Sequence, residues 1–449
     1  MTREEARAIL QKAAAAEDGR EVEATLGGGR SELTRFANNE ITQNVSERRY
    51  VLSVRVVRGR RTGRATGNDL SPDGIARLVR RADDAARLSP ESPDLLPLPK
   101  AQKYREVDSA DAETASFGPD GRAREVGRAV GRCKDAGIVG AGIYETASGT
   151  IGDYGVISTL AIANSNGLFA YHDSTDARFS ISALDGMASG WASAESHESR
   201  DIDGDAVAAR AVEKALRSRG AERREPGAYT VVLEPAAVSD LLTDTAWLSF
   251  GALPVQEGRS FLSGRIGQKV AGDNITIRDD PYHPLHKGAP FDAEGMPTVP
   301  VTIIERGVAK GPVYDRQTAA KEGKESTGHS LLPYPNPYGP LTGHLVLEGG
   351  EGTVEELIAR VDRGLLVTRV WYTNVVDPMT ATLTGMTRDG LFAIEGGKLR
   401  GAVRNFRFNQ SVVQMLNGVE ALSAPVRVGG VVCPGLLVRG FHMSSVTEF

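Results

Sequence analysis

The sequence predicts an α+β protein in which an α/β N-terminal domain precedes a β-rich C-terminal domain. Three observations carry this. Over residues 1–88 amphipathic helical patterns alternate with period-two apolar runs. Beyond Pro226-Gly227 the signals are mostly those of strands with glycines at turn positions. The chain has 449 residues, long enough for two or three cores, and 40% apolar with 25% charged residues is ordinary for a globular protein.

In chain order, "REEARAILQKA" reads as a helix with Ala6, Ile9, Leu10 and Ala13 on one stripe. "EVEATLGGG" and "SELTRFANNEITQN" read as strands separated by a glycine turn, and "RYVLSVRVVRGRRTGRATGND" as a hairpin around Gly59 and Gly63. Ser71 caps the next amphipathic helix. Residues 1–88 thus form the N-terminal α/β segment. Residues 89–222 form a linker and a central strand/helix segment that packs with it. The linker, 89–118, is rich in Pro, Ser and Asp and is expected on the surface. A helix near 121–135 leads into strands between Gly140 and Ala194, with turn signals "SGTIGDYG" and "NSNG", and a further helix is expected from a cap at Asp205. The β-rich domain spans 223–449. It contains a short helix over 235–250, with Val238, Leu241, Leu242, Thr245 and Leu248 on its buried stripe, and a helix announced by the capping box Thr353–Glu356.

The formal net charge of −5 and a pI near 5.9 argue against general nucleic-acid binding. No apolar run reaches membrane-spanning length, and the N-terminus is charged from its third residue, so a cytoplasmic location and no membrane partner are expected. Cys133 and Cys433 stand far apart and support neither a disulfide framework nor a zinc knuckle.

Candidate chemistry is sparse. The cluster Arg55, Arg58, Arg60, Arg61 and Arg64 reads as the solvated face of a hairpin, because its glycines lack the Gly-Lys-Ser/Thr ending of a phosphate loop. "DIDGDA" at 201–206 lacks the spacing of a calcium loop. His283 and His286 lie in a loop punctuated by Pro281, Pro284 and Gly288, read as solvated. His329 and His344 flank the proline-rich "LLPYPNPYGP" and are weak candidates for a metal site, with turn or packing roles as the alternative. No G-x-S-x-G elbow marks a nucleophile.

Several stretches taken together resemble the TldD/PmbA family: "LTRFANNEITQN", "VRVVRGRRTGRATGNDLS", "FLSGRIGQKVA", "DAEGMPT", "IERGVAKG", "YDRQTAAKEGKESTG", "IARVDRGLLVTR" and "VVDP", in the family's order. The resemblance implies a TldD/PmbA-like fold of the kind described above. It also implies kinship with a proteolytic subunit, TldD, whose His-Glu-x-x-x-His helix lies just upstream of the "SGRIG" stretch and whose metal site a C-terminal cysteine completes. Histidines five apart lie roughly 140° apart around a regular helix, so both reach one ion only from a distorted turn. The corresponding helix here, within 235–250, has neither histidine nor glutamate, and Cys433 follows the place of the metal cysteine. The resemblance therefore implies a PmbA/TldE-type, non-catalytic subunit. Its partner would be a TldD-type metallopeptidase chain that carries the zinc, its substrates unfolded peptides, and no cofactor would reside in this chain; a homodimer is also compatible. The alternatives are a self-contained hydrolase with an altered metal or nucleophile site and a peptide-binding scaffold. Within "SELTRFANNEITQN", Arg35, Phe36, Asn38 and Asn39 are candidate contacts for peptide or partner, against the alternative of a hairpin that satisfies itself.

Overall fold

The computed structural model describes residues 1–15, 19–149 and 159–447, so most of the turn expected in "SGTIGDYG" lies outside the described residues. Helix α1 (Arg3–Ala13) starts on a Thr2–Glu5 capping box and buries Ala6, Leu10 and Ala13. Strands β1 (Glu21–Ala37), β2 (Glu40–Arg58) and β3 (Arg61–Gly67) follow as consecutive antiparallel hairpins, then α2 (Pro72–Leu88), whose cap is Ser71 as the sequence predicts. After α3 (Ala112–Ala115) and α4 (Pro119–Asp135) come β4 (Val139–Gly149), β5 (Thr159–Asn164), β6 (Phe169–Tyr171), β7 (Thr175–Asp185), β8 (Ala188–Ser196) and α5 (Gly204–Arg217). The eight strands make one antiparallel sheet in the order β3-β2-β1-β4-β7-β8, with β5 and β6 branching from the first half of β1.

Three local expectations are corrected here. Strand β1 runs unbroken through Gly27-Gly28-Gly29, and the chain turns instead at Asn38-Asn39, whose φ values of 52° and 62° suit a tight hairpin. The glycines serve close approach. A Cβ on Gly28 would lie 2.1 Å from the Arg49 carbonyl oxygen, and one on Gly29 would lie 1.9 Å from that of Ser148. The cap of α5 is Asp203, which accepts from the amides of Asp205 and Ala206, while Asp205 pairs with Arg132. The arginine cluster is a solvated face only in part: Arg60 and Arg61 are exposed, while Arg55, Arg58 and Arg64 are drawn inward onto carboxylates. Arg55 is buried against Glu23 (2.9 Å), Arg64 reaches Glu23 (3.3 Å), Arg58 pairs with Asp83, and Arg61 donates to the carbonyls of Arg87 and Ser89. Charge spacing alone does not reveal that carboxylates from β1 and α2 lie under the guanidiniums.

The second half contains β9 (Gly227–Leu233), α6 (Pro235–Ser249), α7 (Ala252–Gln256), β10 (Ile277–Asp279), β11 (Val301–Glu305), β12 (Val308–Ala309), α8 (Arg316–Lys321) and β13 (Leu345–Leu347). It continues with α9 (Val354–Ala359), β14 (Arg363–Asp377), β15 (Thr382–Glu395), β16 (Lys398–Ala402), β17 (Phe406–Ser411), α10 (Val412–Asn417), β18 (Val419–Leu422), β19 (Val426–Val428), β20 (Val431–Cys433) and β21 (Leu436–Val446). One sheet runs β12-β11-β10-β13-β20-β19. In the other, β14 pairs with both β9 and β15, so β14-β9-β21-β17-β15 close into a ring. A single apolar core unites α6 with both sheets, through Val238, Leu241 and Leu242 with Leu233, Ile277, Leu345 and Leu365. The α+β fold class predicted from the sequence matches this architecture.

The connecting segment after α2 is mostly exposed, as expected, and runs along the surface of the second half. Arg316 donates to the Pro97 carbonyl (2.6 Å), Gln317 to that of Asp94 (3.2 Å), and the Tyr104 hydroxyl to that of Gly295 (2.8 Å). Among the described residues no helix is long and apolar enough to cross a membrane.

Candidate functional site

Strand β9 ends at Leu233, and Pro235 occupies the first turn of α6, where its missing amide hydrogen costs nothing. The buried stripe is the expected one: Val238, Leu241, Leu242 and Thr245 are all buried, joined by Ala237, Ala246 and Ser249. Leu248 is half-buried and packs at the margin of the core. Two hydroxyls are spent internally, Thr245 Oγ1 on the Leu241 carbonyl and Ser239 Oγ on that of Val428, both at 2.8 Å. The open side shows Asp240, Thr243 and Trp247, with Asp244 half-buried and Trp247 tilted against Tyr338 at 5.3 Å. Asp240 reaches solvent from a crowded setting. The surrounding protein pushes its carboxyl up to about 7, helped by Asp244 and opposed by Arg369.

Cys433 ends β20 directly beneath the start of this helix. Its thiol is fully buried and donates to the Pro235 carbonyl (3.3 Å), and burial, with Glu195 and Asp240 nearby, pushes it far above the usual thiol range. A zinc site needs deprotonated or neutral donors converging on one point. The protonated, already committed thiol and a helix without imidazoles do not fit that requirement. Among the described residues no group of three His, Cys, Asp or Glu side chains is placed to hold a metal ion.

The histidines gather elsewhere, at the junction of the two halves. His329 Nε2 donates to Asp279 Oδ1 (3.0 Å), and its Nδ1 lies 2.9 Å from Thr327 Oγ1. The backbone N–H of His344 donates to Asp279 Oδ2 (2.8 Å), and its ring Nδ1 is 3.8 Å from Oδ1. His329 and His344 therefore do meet, but on a carboxylate. Burial alone would raise the Asp279 pKa; the two histidines outweigh it and hold the group well below the usual carboxylate range. His283 and His286 do not form the solvated loop expected: His286 is buried, bonds the Leu345 carbonyl (2.9 Å), and stacks edge-on to His344 at 5.7 Å. The first half contributes His197, whose Nε2 is 2.5 Å from the His286 carbonyl, and His172, bonded to Ser109 (3.0 Å). Burial, with the charges of His344 and His197, brings His172 down to about 4; burial and His344 bring His286 down to about 3.

Two further carboxyls lie in this junction, within the "DAEGMPT" stretch. Asp292 accepts from the amides of Glu294 and Met296 (both 2.9 Å) and Ser330 (3.0 Å), yet burial raises it to about 6. Glu294 is pushed up to about 8 by burial and by Asp292. Arg64, itself paired with Glu23, donates to the Tyr334 carbonyl (2.7 and 2.9 Å), tying β3 to the proline-rich loop. Asp279 escaped the sequence reading, although its signal was present. Ile275, Ile277 and Asp279 share one parity, and all three are completely buried.

The four candidate contact residues separate into two kinds. Phe36 is buried and stacks on Phe179 at 6.1 Å, so it offers no apolar surface to a ligand. Asn39 donates to the Ile138 carbonyl (2.8 Å) and accepts from the Gly140 amide (2.7 Å), pinning the hairpin to β4. Arg35 and Asn38 are exposed.

The models of the PmbA/TldA metallopeptidase family match in three consecutive parts: domain 1 over residues 22–86, the central domain over 93–219 and the C-terminal domain over 226–445. An uncharacterized protein of Methanocaldococcus jannaschii is 29% identical over 213 residues, 47% of this chain and about half (49%) of that protein's length. The metalloprotease PmbA of Escherichia coli O157:H7 is 25% identical over 96% of this chain and 94% of its own. The crystal structure of TldE from Thermococcus kodakarensis superposes with a TM-score of 0.84 at 22% identity, covering 98% of this chain and 99% of that one. With family models matching consecutively along nearly its whole length, the chain belongs to the PmbA/TldD family.

Proposed function

We propose that this chain is a PmbA/TldE-type, non-catalytic subunit of a two-chain metallopeptidase that acts on unfolded peptides, with the zinc held by a TldD-type partner. The observation that supports the reading most directly is helix α6. Its inward positions are taken by Val238, Leu241, Leu242 and Thr245, its outward ones by Asp240, Thr243 and Trp247, and the nearby Cys433 thiol is committed to the Pro235 carbonyl. Such a helix retains the packing that a metal-bearing helix needs and supplies neither an imidazole for a metal nor a glutamate for metal-bound water.

The test is reconstitution. A pull-down from the native cell should recover a related chain carrying His-Glu-x-x-x-His, and peptide cleavage should require both chains and be abolished by a chelator. Asp240→Asn in this chain should leave cleavage unchanged, since Asp240 is the one carboxyl of the helix poised near neutrality. Chelator-sensitive cleavage by this chain alone, with about one zinc per chain lost on His329→Ala or His344→Ala, would transfer the chemistry to this chain and overturn the reading.

A further inference from the structure

The chain has three tryptophans, and two of them lie under a guanidinium. Arg369 sits over the Trp191 ring at 4.8 Å while two of its nitrogens hold Asp389 at 2.8 and 2.7 Å. Arg388 sits over Trp371 at 3.9 Å and reaches the same carboxylate at 3.6 Å. In both, a planar cation is shared between an indole face and an acid, an arrangement that suits a guanidinium better than an ammonium.

Trp247 has the ring and the acid without the cation. It follows Asp244 by three positions on α6, so the two side chains are neighbours on the helix surface. The indole is 53% exposed, and Tyr338 of the proline-rich loop stands against it at 5.3 Å. Asn336 fixes that loop, accepting from the Tyr338 amide (3.1 Å) and donating to the Gly339 carbonyl (2.7 Å), so the aromatic wall is in place before anything binds. Asp244 Oδ2 is buried and has no hydrogen-bond partner. Among the described residues no cation pairs with this carboxyl or lies over Trp247, and "PAAVSDLLTDTAWLS" contains no basic residue to supply one. Asp240 differs, because it faces the Val370 amide and the charges of Arg369 and Arg178. A buried acceptor without a donor is costly, and a cation arriving from outside removes that cost.

We propose that Asp244, Trp247 and Tyr338 form a site for an arginine side chain of a bound peptide, its guanidinium lying on the indole and forking onto the carboxylate. The proposal rests on the reading given above for the source of the peptide, and it gives this chain a selective hold on what its partner would cut. One such contact on a half-exposed ring supplies selectivity more than tight binding.

Calorimetric titration into the isolated chain tests it apart from any cleavage. The probes are short unstructured peptides that differ only at one central residue: arginine, lysine, or citrulline, which keeps the shape of arginine without its charge. At low salt the arginine peptide should bind at least about tenfold tighter than the citrulline peptide and about threefold tighter than the lysine peptide. Asp244→Asn and Trp247→Ala should each bring the arginine peptide down to the citrulline level with unchanged circular dichroism, while Asp244→Asn leaves the citrulline peptide unaffected. No binding of the arginine peptide, equal affinity for arginine and citrulline, or an Asp244→Asn chain that keeps the preference would each overturn the proposal. If the two mixed chains still cleave peptides in that case, the subunit reading stands without this site.

Discussion

Helix α6 and the junction around Asp279 both lie in the second half of the molecule, and they use buried space in opposite ways. The helix fills its inner face with Val238, Leu241, Leu242 and Ala246, so its stability rests on apolar area, roughly 25 cal/mol for each Å² removed from water. The junction buries Asp279, Asp292, Glu294, His286 and His329 together, where every polar atom needs a partner and a missing one costs more than the bond contributes. Helix α6, where the resemblance to TldD would place a catalytic motif, packs as an ordinary core helix. Demanding polar chemistry survives where the two halves are held together. The shifted carboxyls and histidines of the junction report on docking, while the raised Asp240 and Cys433 report on crowding beside α6.

The largest effect expected from this contrast is at Asp279. Asp279→Ala leaves His329 Nε2 and the His344 amide without their acceptor in a buried setting, at a cost of about 3–5 kcal/mol in urea unfolding. Thr243→Ala, on the open side of α6, should change stability by less than about 0.5 kcal/mol. Equal costs at the two positions would erase the distinction drawn here.

Next comes the pH dependence of stability, which should have two limbs. His172 and His286 have pKa values lowered on folding, to about 4 and about 3, so the folded state binds fewer protons than the unfolded one below the free histidine value. Their contribution is complete above about pH 6.5 and is lost as pH falls towards 4 for His172 and towards 3 for His286, on the order of a few kcal/mol. Glu294 has its pKa raised to about 8, so the folded state binds the extra proton and stability declines as pH rises towards 8. Thermal melting should therefore peak between the limbs, near neutrality or slightly below. Asp240 and Asp292, raised to about 7 and about 6, add to the same limb, so Glu294→Gln should make it shallower without removing it and leave the acid limb; a profile unmoved by that variant would remove Glu294 from the account.

A smaller effect separates the residues of the first hairpin. Asn39→Ala loses two hydrogen bonds and a left-handed turn residue that tolerates φ of 62°, and should cost about 1–2 kcal/mol. Arg35→Ala, on the exposed face, should stay within about 0.5 kcal/mol. Denaturation midpoints of the two single variants would show whether the hairpin's role at Asn39 is structural, as its bonds indicate.

Local signals were legible where local physics decides. Ser71 caps α2 and Thr353 with Glu356 forms a capping box, because those bonds close within three residues. The apolar stripe of α6 followed from helical spacing. The Gly27-Gly28-Gly29 run misled, because a glycine placed for a turn and one placed for close strand approach look alike until the neighbouring strands are in position. The arginines of β2 and β3 misled for a related reason: Glu23, 32 residues from Arg55 and 41 from Arg64, gives no sign in sequence of lying beneath both.

By itself the sequence determined the α+β class, the helix starts, the family's ordered motifs and the absence of histidine from α6, all matters of residue type or of spacing within a few positions. Only the tertiary structure decided that His329 and His344 converge on Asp279, that Cys433 lies under α6 as a protonated thiol, and that guanidiniums reach Trp191 and Trp371 while, among the described residues, none reaches Trp247. Each of these depends on which distant segment arrives beside a given side chain. Burial, which makes a charge costly or a thiol inert, arises from that arrival.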